Sequence, residues 1–128
     1  MLIVVDPSSG VPVFRQLMDQ VRFHIASGLL KTGDELPATR ALSAELGVNP
    51  MTISKAYNLL ERDGVLERRP GRPLVVADLD PAALETEKVD RLRANLAEGV
   101  RAAKQLGFEP DEAVRIFRDL LDEDDKET

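Results

Sequence analysis

The chain reads GVNPMTISKAY from Gly47 to Tyr57, which has the features of a turn followed by the start of a helix. Asn49 can cap a helix by accepting hydrogen bonds from its first unpaired N–H groups, and Pro50 suits the first helical position because it lacks a donor there. A helix is therefore predicted from Pro50 to Asp63. Its apolar residues recur at three- and four-residue steps and form one buried stripe, which comprises Ile53, Ala56, Tyr57 and Leu60.

A shorter helix is predicted directly before this stretch. Thr39–Leu46 has helical spacing, and Gly47 can adopt the left-handed conformation in which helices often end. Two helices joined by a tight turn form a helix-turn-helix. The spacing alone is also compatible with a plain helical hairpin, so the flanking sequence has to decide between them.

Residues 65–76 predict a β-hairpin, because two apolar segments flank a turn containing Pro70 and Gly71. The tip of this hairpin carries Arg68, Arg69 and Arg72. A turn does not require a cluster of arginines, whereas a hairpin that lies on DNA needs cations beside phosphates or in a minor groove. A helix-turn-helix followed by a basic hairpin is a winged helix, so the predicted fold is mainly α with a small β wing.

Short segments of this sequence resemble the GntR family of bacterial transcription regulators: LPATR at 36–40, GVNP at 47–50, SKAY at 54–57 and RPGR at 69–72. The likeness covers roughly residues 11 to 77, and the tail resembles the YtrA subfamily. This resemblance implies a dimeric repressor, often of a transporter operon. The sequence departs from the family at Ala38 and Ala41, where Ser and Glu commonly form a capping box, and at Pro73, where Gly is common.

The outward surface of the motif and the wing supply the predicted DNA contacts. Short hydroxyl, amide and thioether side chains suit base edges in a major groove, and cations suit phosphates. The candidate residues are Thr39, Arg40, Asn49, Met51, Thr52, Ser54, Lys55, Tyr57, Arg69, Gly71 and Arg72. Tyr57 is equally compatible with the core, and Thr39 and Ser54 with ordinary surface positions. An alternative function is a winged-helix module whose arginines bind an acidic protein.

Residues 78–128 form a second predicted region, after a winged helix of residues 1–77. Apolar spacing predicts a helix from Ala82 to Leu106 and another from about Asp111 to Asp122, followed by a disordered end from Asp124. Two helices of this size cannot cover both of their apolar stripes, so a second copy of the chain is expected to do so. The alternative is that they fold back onto the winged helix. The predicted dimerisation residues are Val89, Leu92, Leu96, Val100, Phe117 and Leu121.

The segment before the motif is predicted to contain a strand and a helix. Leu2–Val5 is short and rich in β-branched residues, which favours a strand that pairs with the wing or with a partner. Val13–Ser27 carries a helical apolar stripe and predicts the first core helix. Residues 29–37 are rich in turn residues and are predicted to connect this helix to the motif.

The net charge of −6 is unevenly distributed along the 128 residues. Residues 1–77 contain nine basic and eight acidic residues, whereas residues 78–128 contain eight and fifteen. Charges separated by more than about 10 Å are screened at moderate salt, so an acidic tail does not prevent a basic surface from binding phosphate. Double-stranded DNA and a second copy of the chain are therefore the predicted partners, and the sequence leaves a small-molecule effector unknown.

The composition argues against catalysis. The sequence has no Cys and only one histidine, His24, and it contains no glycine-rich phosphate loop. We therefore expect no catalytic residue, no metal site and no cofactor, since metal sites take several ligands. No apolar run is long enough to span a membrane. A chain without Cys has no disulfide framework, and no signal-like segment is present. A cytoplasmic protein without membrane contact is therefore expected.

Overall fold

The computed structural model describes residues 3–127. This part of the chain forms five helices and one two-stranded antiparallel sheet. The elements are α1 Val13–Ser27, α2 Thr39–Leu46, α3 Pro50–Arg62, β1 Leu66–Glu67, β2 Val75–Val76, α4 Pro81–Gln105 and α5 Pro110–Glu127. The predicted fold class, mainly α with a small β wing, is confirmed. Two compact units are present, Met1–Arg91 and Leu92–Thr128.

The core of the first unit is built where α1 packs against α3. α1 contributes Leu17, Val21 and Ile25, α3 contributes Ile53 and Leu60, and each of these side chains is at most 4% exposed. Burying one such side chain stabilises a fold by about 1.5–3 kcal/mol. These contacts fix which side of α3 is buried and leave the opposite side in solvent.

The turn between α2 and α3 follows the local chemistry predicted from the sequence. Gly47 has a φ of 66°, which L-residues with a side chain rarely adopt, and it ends α2. The Asn49 side chain accepts a hydrogen bond from the Met51 N–H at 2.8 Å, and Pro50 opens α3. The capped start of α3 is therefore confirmed, and the helix ends at Arg62, one residue before the predicted end.

A segment before the motif completes the sheet. β1 and β2 pair with Leu66 opposite Val76 and Glu67 opposite Val75. On the other side of β2, Glu35 forms an isolated antiparallel bridge with Val75. The Leu36 N–H donates to the Leu74 carbonyl at 2.8 Å, and the Val76 N–H donates to the Asp34 carbonyl at 2.9 Å. The predicted connector 29–37 therefore supplies a third sheet partner, which the sequence did not reveal.

The predicted N-terminal strand is wrong over the residues described. Ile3–Val5 has no strand conformation, and Leu2 lies outside the described residues. Gln20 on α1 instead holds this segment, because its side chain accepts from the Val4 N–H at 2.9 Å and donates to the Val4 carbonyl. A side chain thus satisfies the backbone groups that a sheet would otherwise pair, and Ile3 is buried in the core.

The first part of α4 belongs to the winged-helix unit. Leu84 on α4, and Leu79 just before this helix, pack against the core of that unit. Arg22 on α1 pairs with Asp63 at 2.6 Å and with Glu87 at 3.4 Å, and Arg91 pairs with Asp19 at 3.2 Å. The first compact unit therefore extends into α4 as far as Arg91, and the division into a DNA-binding region of residues 1–77 and a helical region of residues 78–128 stays a prediction.

The second unit contains the rest of α4 and all of α5. Helix α5 begins at Pro110 and continues to Glu127, so the disordered end predicted from Asp124 is wrong over the described residues. Lys126 lies in the last turn, where a cation interacts favourably with the helix dipole. None of residues 92–126 is buried. Large apolar side chains of this unit are therefore left in solvent.

Candidate nucleic-acid interface

The two motif helices are fixed to each other by backbone and side-chain contacts. The Ser43 hydroxyl donates to the Val48 carbonyl, and the Val48 N–H donates to the Ser43 carbonyl at 3.1 Å. Leu42 of α2 is 1% exposed and belongs to the same core as Ile53. The start of α3 is thereby held at a defined position beside α2.

The exposed side of α3 carries side chains that suit a major groove. Met51 is 78% exposed. Thr52 and Ser54 are half-buried, and Lys55 and Asn58 are exposed. Asn49 is exposed, and capping uses its side-chain oxygen. Side chains at the start of α3 thus combine hydroxyl, amide and thioether groups, and the only charged one is Lys55.

Tyr57 does not belong to this surface. Its side chain is 4% exposed, and its hydroxyl donates to the Pro37 carbonyl at 2.9 Å. Burial raises the pKa of the Tyr57 phenol above its ordinary value, which keeps the hydroxyl protonated as a donor. The assignment of Tyr57 to DNA contact is therefore corrected, and the residue joins the segment before α2 to the core of α3.

The start of α2 presents a cation. Arg40 is exposed, and no carboxylate among residues 3–127 forms an ion pair with it. Thr39, the first residue of α2, is half-buried. The helix begins after Ala38 without a side-chain cap, as the missing capping box predicts. Arg40 is thus free to bind an external anion.

The wing tip contains three arginines in different surroundings. Arg68 lies 3.4 Å from Glu61, and Arg69 lies 3.4 Å from Glu67. Arg72 is exposed and forms no ion pair within the described part of the chain. Gly71, with a φ of 69°, lets the tip turn tightly, and the Arg72 N–H donates to the Arg69 carbonyl. Exposed ion pairs contribute about 0–1 kcal/mol, so a phosphate can replace the carboxylates.

One aromatic contact to this surface was not anticipated. The Lys55 ammonium lies 3.9 Å from the centroid of the Phe14 ring, and the Arg15 guanidinium carbon lies 6.0 Å from it. Phe14 belongs to the apolar stripe of α1, so its sequence position indicates only a core residue. The contact depends on the packing of α1 against α3, which sequence spacing does not report.

The residues predicted for dimerisation are largely accessible. In the second unit Leu92, Val100, Phe117 and Leu121 are between 39% and 53% exposed, and Leu96 is half-buried. Val89 lies in the first unit and is 44% exposed. Leu106, Val114 and Leu120 add further exposed apolar surface in the second unit.

An open cleft of about 460 Å³ lies in the first unit. Two of its cationic side chains, Arg22 and Arg91, are paired with Asp63 and Asp19. Over residues 3–127 no group of three or more His, Asp or Glu side chains is arranged to bind a metal ion. No helix in the same range is long and apolar enough to cross a membrane.

Known proteins resemble this chain over most of its length. Residues 14–76 match the family described as "Bacterial regulatory proteins, gntR family". The HTH-type transcriptional repressor YtrA of Bacillus subtilis (strain 168) is 32% identical over 108 residues, which are 84% of this chain and 83% of the relative. A match of this length extends beyond the winged helix into the helical tail.

Solved structures show the same fold. YtrA from Sulfolobus acidocaldarius, a GntR-family transcription factor, matches with a TM-score of 0.59 and 36% identity over 73% of this chain and 99% of its own. AraR(DBD) in complex with operator ORX1 matches with a TM-score of 0.52 and 25% identity, over 60% and 95% of the two chains. This chain therefore belongs to the GntR family of bacterial DNA-binding transcription regulators, on its YtrA-like branch, and is not an enzyme.

Proposed function

We propose that this chain is a repressor that binds a pseudo-palindromic operator as a homodimer. The main support for DNA binding comes from two exposed cations, Arg40 and Arg72. Neither forms an ion pair with a carboxylate within residues 3–127. They lie at the start of α2 and at the wing tip. Two unpaired cations at these positions suit the phosphates of one duplex.

Within this proposal the predicted residues divide by role. Met51, Thr52, Ser54 and Asn49 contact base edges, because their short polar or thioether groups fit a major groove. Arg40 and Lys55 contact phosphate or base, and Thr39 lies beside Arg40. Arg69, Gly71 and Arg72 place the wing on the backbone or in a minor groove. Tyr57 is left out because it is buried.

Two finer parts of the proposal have less support: that the protein is a repressor, and that it controls a transporter operon. The Bacillus subtilis relative is named a transcriptional repressor, which supports repression. The transporter operon rests on the resemblance to the YtrA subfamily. Since a transcription regulator acts on the chromosome, we also propose that the protein works in the cytoplasm.

DNA binding can be tested with a duplex that the full chain selects from a random-sequence library. Arg40→Ala and Thr52→Ala should each weaken binding to this selected duplex, because each removes a contact worth about 1–3 kcal/mol if it is made to a base. Thermal unfolding should stay close to that of the unsubstituted chain, since Arg40 is exposed and Thr52 only half-buried. Fluorescence anisotropy at near-physiological salt measures the affinity.

The matched control is Arg101→Ala, which removes the same charge from an exposed position of the second unit. It should leave the affinity for the selected duplex nearly unchanged. Equal affinities for Arg40→Ala, Thr52→Ala and the unsubstituted chain would contradict the assigned DNA surface. A chain that bound no duplex at this salt concentration would instead favour an acidic protein partner.

A further inference from the structure

The Phe14 ring supports the only cation on the exposed side at the start of α3. Lys55 lies one turn beyond Met51, and its ammonium is 3.9 Å from the ring centroid. A cation within about 6 Å of an aromatic centroid is attracted by the negative face of the ring. Phe14 itself is half-buried and packs against the core, so α1 gives this ring a fixed position.

The contact with the ring restricts the position of the Lys55 ammonium but leaves its N–H groups available for hydrogen bonds. No carboxylate within residues 3–127 forms an ion pair with Lys55. An ammonium that rests on a ring face keeps N–H groups that can donate to an external acceptor. A free lysine loses rotamer freedom when a phosphate binds it, whereas a lysine already held loses less.

We infer that Phe14 is a positioning residue for DNA binding, whose ring holds the Lys55 ammonium where a backbone phosphate binds. The inference rests on the proposed function and extends it to α1, outside the helix-turn-helix and the wing. A ring that merely fills core volume would affect binding only through stability. A ring that withholds Lys55 from DNA would have the opposite effect on affinity.

A double-mutant cycle on the full chain distinguishes these roles. It compares Phe14→Leu and Lys55→Met, separately and together, for binding to the selected duplex. Phe14→Leu should weaken binding about two- to fivefold, which corresponds to an exposed cation–π contact. Lys55→Met should reduce the slope of log affinity against log salt by roughly 0.9. In the Lys55→Met background, Phe14→Leu should cause no further weakening.

If Phe14→Leu does not fold, variants that preserve an aromatic ring at position 14 can test the inference instead. Phe14→Tyr should retain full affinity, because it keeps the aromatic face. Trifluorophenylalanine at position 14 keeps the shape but weakens the negative ring face, so affinity should fall with fluorination while thermal unfolding stays unchanged.

Three results would overturn the inference: an equal effect of Phe14→Leu in both backgrounds, tighter binding by Phe14→Leu, or an unchanged salt slope for Lys55→Met. Arg40→Ala is measured in the same experiment, and it distinguishes failure of the inference about Phe14 from failure of the proposed function. If Arg40→Ala still weakens binding, the DNA surface stands and only the role of Phe14 is refuted. If it does not, the surface itself is wrong.

Discussion

The Tyr57 hydroxyl is a buried polar group that donates one hydrogen bond, to the Pro37 carbonyl. Replacement by Phe removes the donor to the Pro37 carbonyl while keeping the ring, so Tyr57→Phe should destabilise the fold by about 1 kcal/mol. DNA affinity at a temperature far below unfolding should change little, because the side chain is 4% exposed. A strong decrease in affinity with unchanged stability would return Tyr57 to the DNA surface. Chemical denaturation and anisotropy measure the two quantities.

Tyr57 should also make stability depend on pH in the alkaline range. Its pKa is raised in the folded chain, so the folded state keeps the proton that the unfolded chain begins to lose near pH 10. This contribution to stability is fully present below about pH 10 and is lost as the pH rises further. Tyr57→Phe should therefore lose less stability than the unsubstituted chain as the pH rises above about 10.

The measurement is direct because Tyr57 is the only tyrosine and the chain has no tryptophan. Near-ultraviolet absorbance of tyrosinate therefore reports this one group. In the folded chain the signal should develop only at a pH above the ordinary range, together with unfolding. A titration near pH 10 with the fold intact would show that the phenol is not held in the core.

At the scale of elements, the wing is expected to act through its charge. Replacing Arg69 and Arg72 by Ala should flatten the salt dependence of DNA binding, with a decrease in slope of roughly 0.9 for each phosphate that the wing no longer neutralises. Arg68→Ala provides a comparison, since Arg68 is a wing arginine that is not assigned to DNA contact. Binding isotherms over a range of salt concentrations measure the slope. An unchanged slope for the double variant would mean that the wing does not touch backbone phosphate.

The start of α2 lacks a cap, and a single substitution can supply one. Ala38 has extended backbone angles, φ −59° and ψ 148°, that suit an N-cap residue, but it has no side-chain acceptor. Ala38→Ser should therefore stabilise the fold by about 0.5–2 kcal/mol. Ala44→Ser, at an exposed position inside α2, is the control and should be neutral or slightly destabilising. Equal effects of both substitutions on thermal unfolding would argue against capping.

Elements with local signals were predictable from the sequence, and those that depend on distant partners were not. Asn49 and Pro50 mark the start of α3 within a few residues, so that helix and its cap were predicted correctly. Glu35 pairs with Val75, which lies far along the chain, and no local pattern identifies such a bridge. Tyr57 was compatible with both the core and the DNA surface for the same reason, because its partner Pro37 lies in another segment.

At the scale of the whole molecule, the exposed apolar side chains of the second unit support the proposed homodimer. Leu92, Val100, Phe117, Leu120 and Leu121 are between 39% and 56% exposed. Large apolar surface of this kind is rarely left in water. A second copy offers the same surface and so can cover it symmetrically. A twofold pair of winged helices then fits a pseudo-palindromic operator.

The proposed dimer can be tested without shortening the chain. Phe117→Ser combined with Leu121→Ser should give a monomer in sedimentation experiments. Affinity for a full operator should fall by about 100- to 10,000-fold, because the second half-site contact is no longer intramolecular, while half-site affinity should be retained. Arg115→Ser with Asp119→Ser is the charge-neutral control on exposed polar residues of α5. A double variant that remained dimeric would place the interface elsewhere.

The hydrogen bonds between the Asp34 segment and β2 close a loop that contains both motif helices. Val76 donates to Asp34, and Leu36 donates to Leu74. During synthesis this loop cannot close until β2 has left the ribosome, and until then the elements that α2 and α3 can pack against are each other, α1 and β1. The amides of Leu36 and Val76 should consequently gain protection from hydrogen exchange in the same step, after the helices have formed. If so, the pairing of the Asp34 segment with β2 is a late folding step that encloses α2 and α3 in a closed loop.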